Sequence, residues 1–226
     1  MSKKILGMGN AVLDILTEAK EEDLTKNNLK KGTMALVEQE DSDKLLNEIN
    51  FIKKDSGGSV ANTLAAISLF GGDSCFCGKV KNDDLGNVFV QSMEKVGTRF
   101  LCQKANNGLP TARCIVMVTS DGERTMQTFL GASTTLEKDD LKDSFFDNID
   151  NIVISIIFSM LESSSTKSIF FSKIYLARFC FVYNHLNNVF PSPRTGQMKS
   201  CHALIIFDIQ VDIELSRFLH EHFCYI

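Results

Sequence analysis

Apolar residues fall along the first 150 positions in short runs, several of them closed by glycine. Residues 5–8 predict a strand that ends at Gly9-Asn10, and residues 11–16 continue apolar with Asp14 set among them. Residues 33–37 predict another strand. Over 41–52 the period changes: Leu45, Leu46, Ile49 and Ile52 share one face of a helix, with Asp41 or Ser42 placed to cap its start. A second helix is expected over 60–70, where Ala61, Leu64, Ala65 and Leu69 suit close packing and Gly71 ends the run. Residues 74–80 predict a strand. Asp83 or Asp84 then opens an amphipathic helix whose stripe is Leu85, Val88, Phe89, Met93 and Val96, stopped by Gly97. Residues 100–103, 112–118 and 124–130 read as strands, the last two joined through Asp121-Gly122, a strong hairpin signal. Residues 136–149 predict a helix on Leu136, Leu141, Phe145 and Ile149, and 152–154 begin a further strand.

Strands alternating with helices favour a mostly parallel sheet covered on both faces. Residues 33–37, 112–118 and 124–130 break that alternation and read better as an antiparallel ribbon outside the main sheet. Composition then divides the chain. Of the 14 glycines only Gly196 lies beyond Gly131, while all four histidines and all three tyrosines lie after residue 155. The break is either a domain boundary or a change in how the DNA is read.

A net charge of −4 over 226 residues, with no basic block, argues against nucleic acid as a partner. Seven cysteines with no zinc spacing read as buried thiols in a reducing cytoplasm. The amino-terminal stretch does not read as a signal peptide. The apolar runs 152–160 and 169–183 are too short or too charged for a bilayer span, so no membrane partner is expected.

The stretch "DSGGSVANTLAAISLFGG" (55–72) places two glycines before a helix and two after it. A helix start offers unpaired N–H groups, and glycines let a ligand come close to the backbone. Asn62, one turn in, carries an amide that can both donate to and accept from sugar hydroxyls. The same stretch also reads as a tight turn before a helix capped by Ser56 or Ser59. Asp14 leaves two readings open as well. It is a surface position on an edge strand, or a carboxylate at a strand's carboxyl end accepting from two vicinal hydroxyls.

Together these pieces resemble the PfkB family of carbohydrate and nucleoside kinases. The matching stretches are G-x-G-N-A-V-L-D-I (7–15), D-S-G-G-S-V-A-N-T (55–63), F-G-G (70–72), G-K-V-K-N-D-D-L-G (78–86), P-T-A-R (110–113) and D-G-E-R-T-M (121–126). The Asn10-x3-Asp14 spacing looks closest to the adenosine-kinase-like branch. The resemblance implies a ribokinase-like three-layer α/β/α fold, here a partial domain over 1–154 with a small β lid (about 11–37 and 99–131). It implies ATP and Mg²⁺ as cofactors, a sugar or nucleoside as partner, and a homodimer through the lid. Asp14, Gly57, Gly58 and Asn62 would grip the substrate hydroxyls. Arg124 would lie on the lid's substrate side, or else be a solvated hairpin cation.

The family places its chemistry in a second half, with a D-T-x-G-A-G-D anion hole and general base and an N-x-x-E motif near Mg²⁺. Neither string occurs here. Asp208 and Asp212, four apart on a possible helix, have no glycine loop beside them. Residues 192–200 form a basic turn without an acid, and His185, His202, His220 and His222 are scattered. No catalytic residue and no metal ligand is therefore assigned. The expectation is a truncated, catalytically impaired kinase whose residues 155–226 are an atypical, degenerate or frame-shifted tail. The alternative is a non-catalytic nucleoside- or sugar-binding remnant or a decayed gene product.

Overall fold

The computed structural model describes residues 3–157, 181–183 and 202–208. Strand β1 (Lys4–Met8) and strand β2 (Val12–Glu18) flank the Gly9-Asn10 turn but enter different sheets. Asp14 is thus the third residue of β2, not at a strand's carboxyl end. Helix α1 (Glu21–Lys26) follows, with Glu21, Glu22 and Asp23 in its first turn, where the helix dipole favours acids. Strand β3 (Met34–Leu36) leads to helix α2 (Gln39–Glu48). That helix starts earlier than its apolar stripe suggested. Glu38 is its N-cap, Asp41 lies in the first turn and Ser42 is buried inside it. It ends before Ile49, so Ile52 leaves the stripe and is exposed.

Strand β4 (Lys53–Gly57) then pairs antiparallel with β2. Helix α3 (Ser59–Leu69), strand β5 (Asp73–Cys77), helix α4 (Asp84–Lys95) and strand β6 (Arg99–Phe100) follow. Strands β7 (Ala112–Val118) and β8 (Arg124–Phe129) form the expected hairpin, with Gly122 at φ +83° in its turn. Strand β9 (Asn151–Ile157) runs without interruption through the composition break, and β10 (Phe181–Tyr183) and β11 (His202–Asp208) complete the described elements.

The first sheet has the order β10-β11-β9-β1-β5-β6. Its β9, β1, β5 and β6 strands are parallel, while β11 runs antiparallel to β9 and β10 antiparallel to β11. Asp208 therefore ends a strand and is not on a helix. Asp212, His185, His220, His222 and residues 192–200 lie outside the described residues. The second sheet has the order β3-β8-β7-β2-β4 and is mixed: β2–β7 and β3–β8 are parallel, β2–β4 and β7–β8 antiparallel. The expected ribbon is thus a five-stranded sheet. Arg99–Phe100 belong to the first sheet, not to it.

Strand alternation sorts the core. From the first sheet, Phe76 and Val153 point to the face covered by α3 and α4, where they meet Val60, Leu64, Phe89 and Met93. The rings of Phe76, Phe89 and Phe100 lie 5.7–6.1 Å apart, within the range of favourable aromatic packing. Leu6, Met8, Cys75, Cys77, Ile152 and Ile154 point to the opposite face. That face is covered by Leu136, Leu141, Phe145 and Ile149, the residues expected on a helix over 136–149, together with Phe146. The segment instead forms two 3-10 turns, Lys138–Asp140 and Asp143–Phe146. Asp140 caps the backbone N–H of Glu137 at 2.8 Å and pairs with the largely buried ammonium of Lys79. These local bonds compete with helix propagation while the apolar side chains still reach the core.

One face of the second sheet packs Ile115 and Met117 against Leu24 and Leu45 of α1 and α2. Arg113, 3% exposed, pins α2 to this face. Its Nε donates to Ser42 at 2.7 Å, its Nη2 pairs with Asp43, and its guanidinium lies 5.2 Å from the Phe129 ring. The other face carries Val12, Ala112, Cys114 and Val116, with Asp14 between them.

Candidate functional site

Asp14 stands where β2 is flanked by β4 on one side and β7 on the other, in register with Asp55 and with Cys114. Its carboxylate lies over Gly57. A Cβ added at Gly57 would sit 2.3 Å from the Asp14 Cγ and Oδ2 and 2.4 Å from Oδ1. Gly57 is therefore a glycine because the carboxylate occupies the place of its side chain. Gly58 answers a different need. It holds φ +95° as the N-cap of α3, and a Cβ there would lie 2.8 Å from the Asn10 carbonyl oxygen. Because Gly58 is the N-cap of α3, neither Ser56 nor Ser59 stands at the cap position expected of them. The first bond inside the helix runs from the Asn62 N–H to the Gly58 carbonyl at 2.9 Å, and Asn62 is exposed on that first turn.

Two nearby segments complete the surroundings. Asn10 donates through Nδ2 to the buried Ser133 Oγ at 3.0 Å, and Ser133 in turn donates to the Leu130 carbonyl at 2.6 Å. The 3-10 turn Gly131–Thr134 is held against Pro110, whose carbonyl accepts from Ala132 N–H at 2.8 Å. Ser133 did not stand out in the sequence; its one signal is the small-residue run Gly131-Ala132-Ser133 directly after a strand. Asp83 fixes the entry to β7. It caps α4 by accepting from Gly86 N–H at 2.8 Å, and accepts from the Thr111 N–H at 3.0 Å and hydroxyl at 2.7 Å. Two of the motifs, G-K-V-K-N-D-D-L-G and P-T-A-R, thus meet in one structural knot.

The charges around Asp14 are unequal. Burial, and then the charge of Asp55, push the Asp14 carboxyl up from 3.8 to about 6. Among the described residues no cation or hydrogen-bond donor answers this carboxylate. Burial also pushes Asp55 up, but its ion pair with Lys53 at 2.6 Å and the Ser56 N–H at 3.0 Å outweigh this and hold it below the ordinary carboxylate value. Across β7, burial raises the Cys114 thiol to about 11, with the Thr128 hydroxyl donating to its sulfur at 3.3 Å.

The structure thus brings Asp14, Gly57 and Gly58 together with the start of α3 that bears Asn62. It does not bring Arg124 to them. Arg124 is exposed at the hairpin end of β8 in register with Val118, whereas Asp14 shares its row with Cys114 and Thr128. Four residues of strand, roughly 13 Å, separate the two rows.

Among the described residues no group of three or more His, Cys, Asp or Glu side chains gathers to hold a metal ion. They also include no second glycine-led helix start beside an acid. No transfer step is assigned to the described residues. No described helix is long and apolar enough to cross a membrane.

Comparison with known proteins adds four matches. The model of the pfkB family carbohydrate kinases matches residues 26–200, running well past the composition break at 154. The probable fructokinase-3 of Arabidopsis thaliana is 32% identical over 83 residues, 37% of this chain and 24% of that protein. Among solved structures, the adenosine kinase from Sinorhizobium meliloti is 34% identical with a TM-score of 0.58, covering 64% of this chain and 44% of that one. A probable sugar kinase from Rhizobium etli CFN 42 is 31% identical with a TM-score of 0.59, covering 66% and 46%. The matches span about a quarter of the curated relative and under half of the solved neighbours. The ribokinase-like α/β fold is shared with the adenosine kinase.

Proposed function

The chain belongs to the pfkB family of carbohydrate kinases, and from that premise we propose that it binds a sugar or a nucleoside by its hydroxyls, as the substrate-binding part of an ATP-dependent hydroxymethyl kinase. The observation that carries this reading is the unanswered Asp14 carboxylate lying over Gly57, beside the Gly58 turn into α3. A partly buried ionised carboxylate with no donor is costly to the fold. It becomes favourable when two adjacent ligand hydroxyls donate to its two oxygens, because hydrogen bonds to a charged acceptor are about twice as strong as neutral ones. The open N–H groups of the α3 start and the exposed Asn62 amide lie close enough in the chain to serve the same ligand.

A nucleoside is preferred over a free hexose. Asp14 shares its face of the sheet with Val12, Ala112, Cys114 and Val116, and a base offers apolar ring surface where a hexose offers further hydroxyls. Catalysis by this chain is impaired in this reading, because the sequence offers no glycine-rich anion hole or adjoining general base. Calorimetry of the full chain with adenosine, ribose and fructose tests the binding. Heat from adenosine that disappears in Asp14→Asn and persists in Arg124→Ala supports it. A folded chain silent to all three ligands refutes it. Product formation from ATP would refute the impairment alone.

A further inference from the structure

Cys77 ends β5, and Cys102 lies two residues beyond β6. The strands are neighbours, with Cys75 in register with Arg99 and Phe76 with Phe100, and the ladder continues through Leu101 N–H to the Phe76 carbonyl at 3.0 Å. Continuing this register sets Cys77 opposite Leu101 and Cys102 one residue further on; a strand spacing of about 4.8 Å and a rise of about 3.3 Å per residue put their Cα atoms about 6 Å apart, inside the ~4.4–6.8 Å that disulfides span. Both side chains belong to one buried cluster with Leu6, Met8, Ile152 and Ile154, and their thiols share a hydrogen bond.

The two sulfurs are not equivalent. The Cys77 hydrogen bond holds the Cys102 thiol below its ordinary value against the effect of burial, helped by the Gly78 N–H and the Lys79 ammonium and opposed by the Asp140 charge. The same hydrogen bond and its own burial push Cys77 up. Cys102 is 6% exposed and Cys77 not at all, so a small oxidant meets Cys102 first. Access sets which thiol meets the oxidant first.

We propose that Cys77 and Cys102 form a redox-sensitive pair that closes to a disulfide on exposure to a peroxide. The Cys102 thiolate attacks one peroxide oxygen and the O–O bond breaks. Cys102 becomes a sulfenic acid, and the departing oxygen leaves as water after taking up a proton. The Cys77 sulfur then attacks the Cys102 sulfur, the S–O bond breaks, and the hydroxyl leaves as a second water with the Cys77 proton. The thiols lose two electrons and the peroxide gains them. The new bond fastens the carboxyl end of β5 to the segment after β6, beside the Lys79–Asp140 ion pair.

Treating the folded full chain with hydrogen peroxide, blocking free thiols by alkylation and digesting with trypsin without reductant tests this. The expected result is peptide 55–79 linked to peptide 100–104, with fragmentation placing the bond at Cys77 and thiol reductant releasing it. Cys75 and Cys114 stay alkylated. In Cys77→Ala the link is lost and a dimedone-type probe captures the Cys102 sulfenic acid. Full alkylation of Cys77 and Cys102 in the folded, peroxide-treated wild-type chain overturns the proposal. So does a Cys102 link to any other cysteine. Neither readout depends on ligand binding, so the proposal stands or falls apart from the kinase reading.

Discussion

Asp14→Asn should make the protein more stable at neutral pH while removing its ligand. The unfolded chain gives up the Asp14 proton near 3.8, the folded protein only near about 6. The folded carboxyl is raised, so the usual carboxylate pattern is reversed. Below about pH 4 both states hold the proton and the group is neutral to stability. As pH rises from there to 6 the unfolded state ionises first, and each pH unit costs the fold about 1.4 kcal/mol. The full gap amounts to roughly 3 kcal/mol above pH 6, reduced because Asp14 is only partly buried and solvent screens some of it. An asparagine of the same shape carries no charge at any of these pH values. Urea unfolding followed by circular dichroism should therefore find the two proteins alike at about pH 4 and Asp14→Asn more stable by about 2 kcal/mol at about pH 8, with an unchanged slope. In a domain of this size that is about 4–8 °C in melting temperature. Other shifted acids, such as Asp121 held low chiefly by Lys31, are common to both proteins and cancel in the difference. A difference that stays constant across pH, or a mutant less stable at pH 8, would refute the account of an unanswered buried charge.

Gly57→Ala should cost about 1–3 kcal/mol through its clash with the Asp14 carboxylate. In the Asp14→Ala background most of that cost should vanish, which a double-mutant cycle of urea midpoints measures. Asp83→Ala removes the α4 cap and both Thr111 bonds. It should destabilise by about 2–3 kcal/mol and speed amide exchange at Gly86 and Thr111, read by NMR. Ligand affinity should fall about tenfold per pH unit as pH drops below 6, because the protonated Asp14 is a weaker acceptor; titration calorimetry across pH checks it.

What the sequence made legible follows from how far apart the cooperating residues lie. Elements whose reason is their own apolar period were readable: β1, α3, α4 with its Asp83 cap, and the β7–β8 hairpin. Strand β4 was not. Lys53-Lys54-Asp55-Ser56-Gly57 has the composition of a loop, and it is a strand because β2 has an edge to satisfy there. The 136–149 segment misled in the opposite way, since its apolar spacing served the core without a helix. The double glycine shows the limit most clearly. From the string alone, two glycines before a helix are one feature, a tight turn or a ligand approach. In the fold they are two: Gly58 turns the chain at positive φ against Asn10, and Gly57 vacates the space that Asp14 fills from another strand. Only the β2–β4 register, which no local pattern encodes, joins the Asp14 motif to the glycine motif. The same register makes the site's cost and its use one fact. The position that forces Gly57 to lack a side chain is the position that buries a charge beside Asp55. In the proposed reading, a ligand that donates to the carboxylate offsets that cost of about 2–3 kcal/mol when it binds.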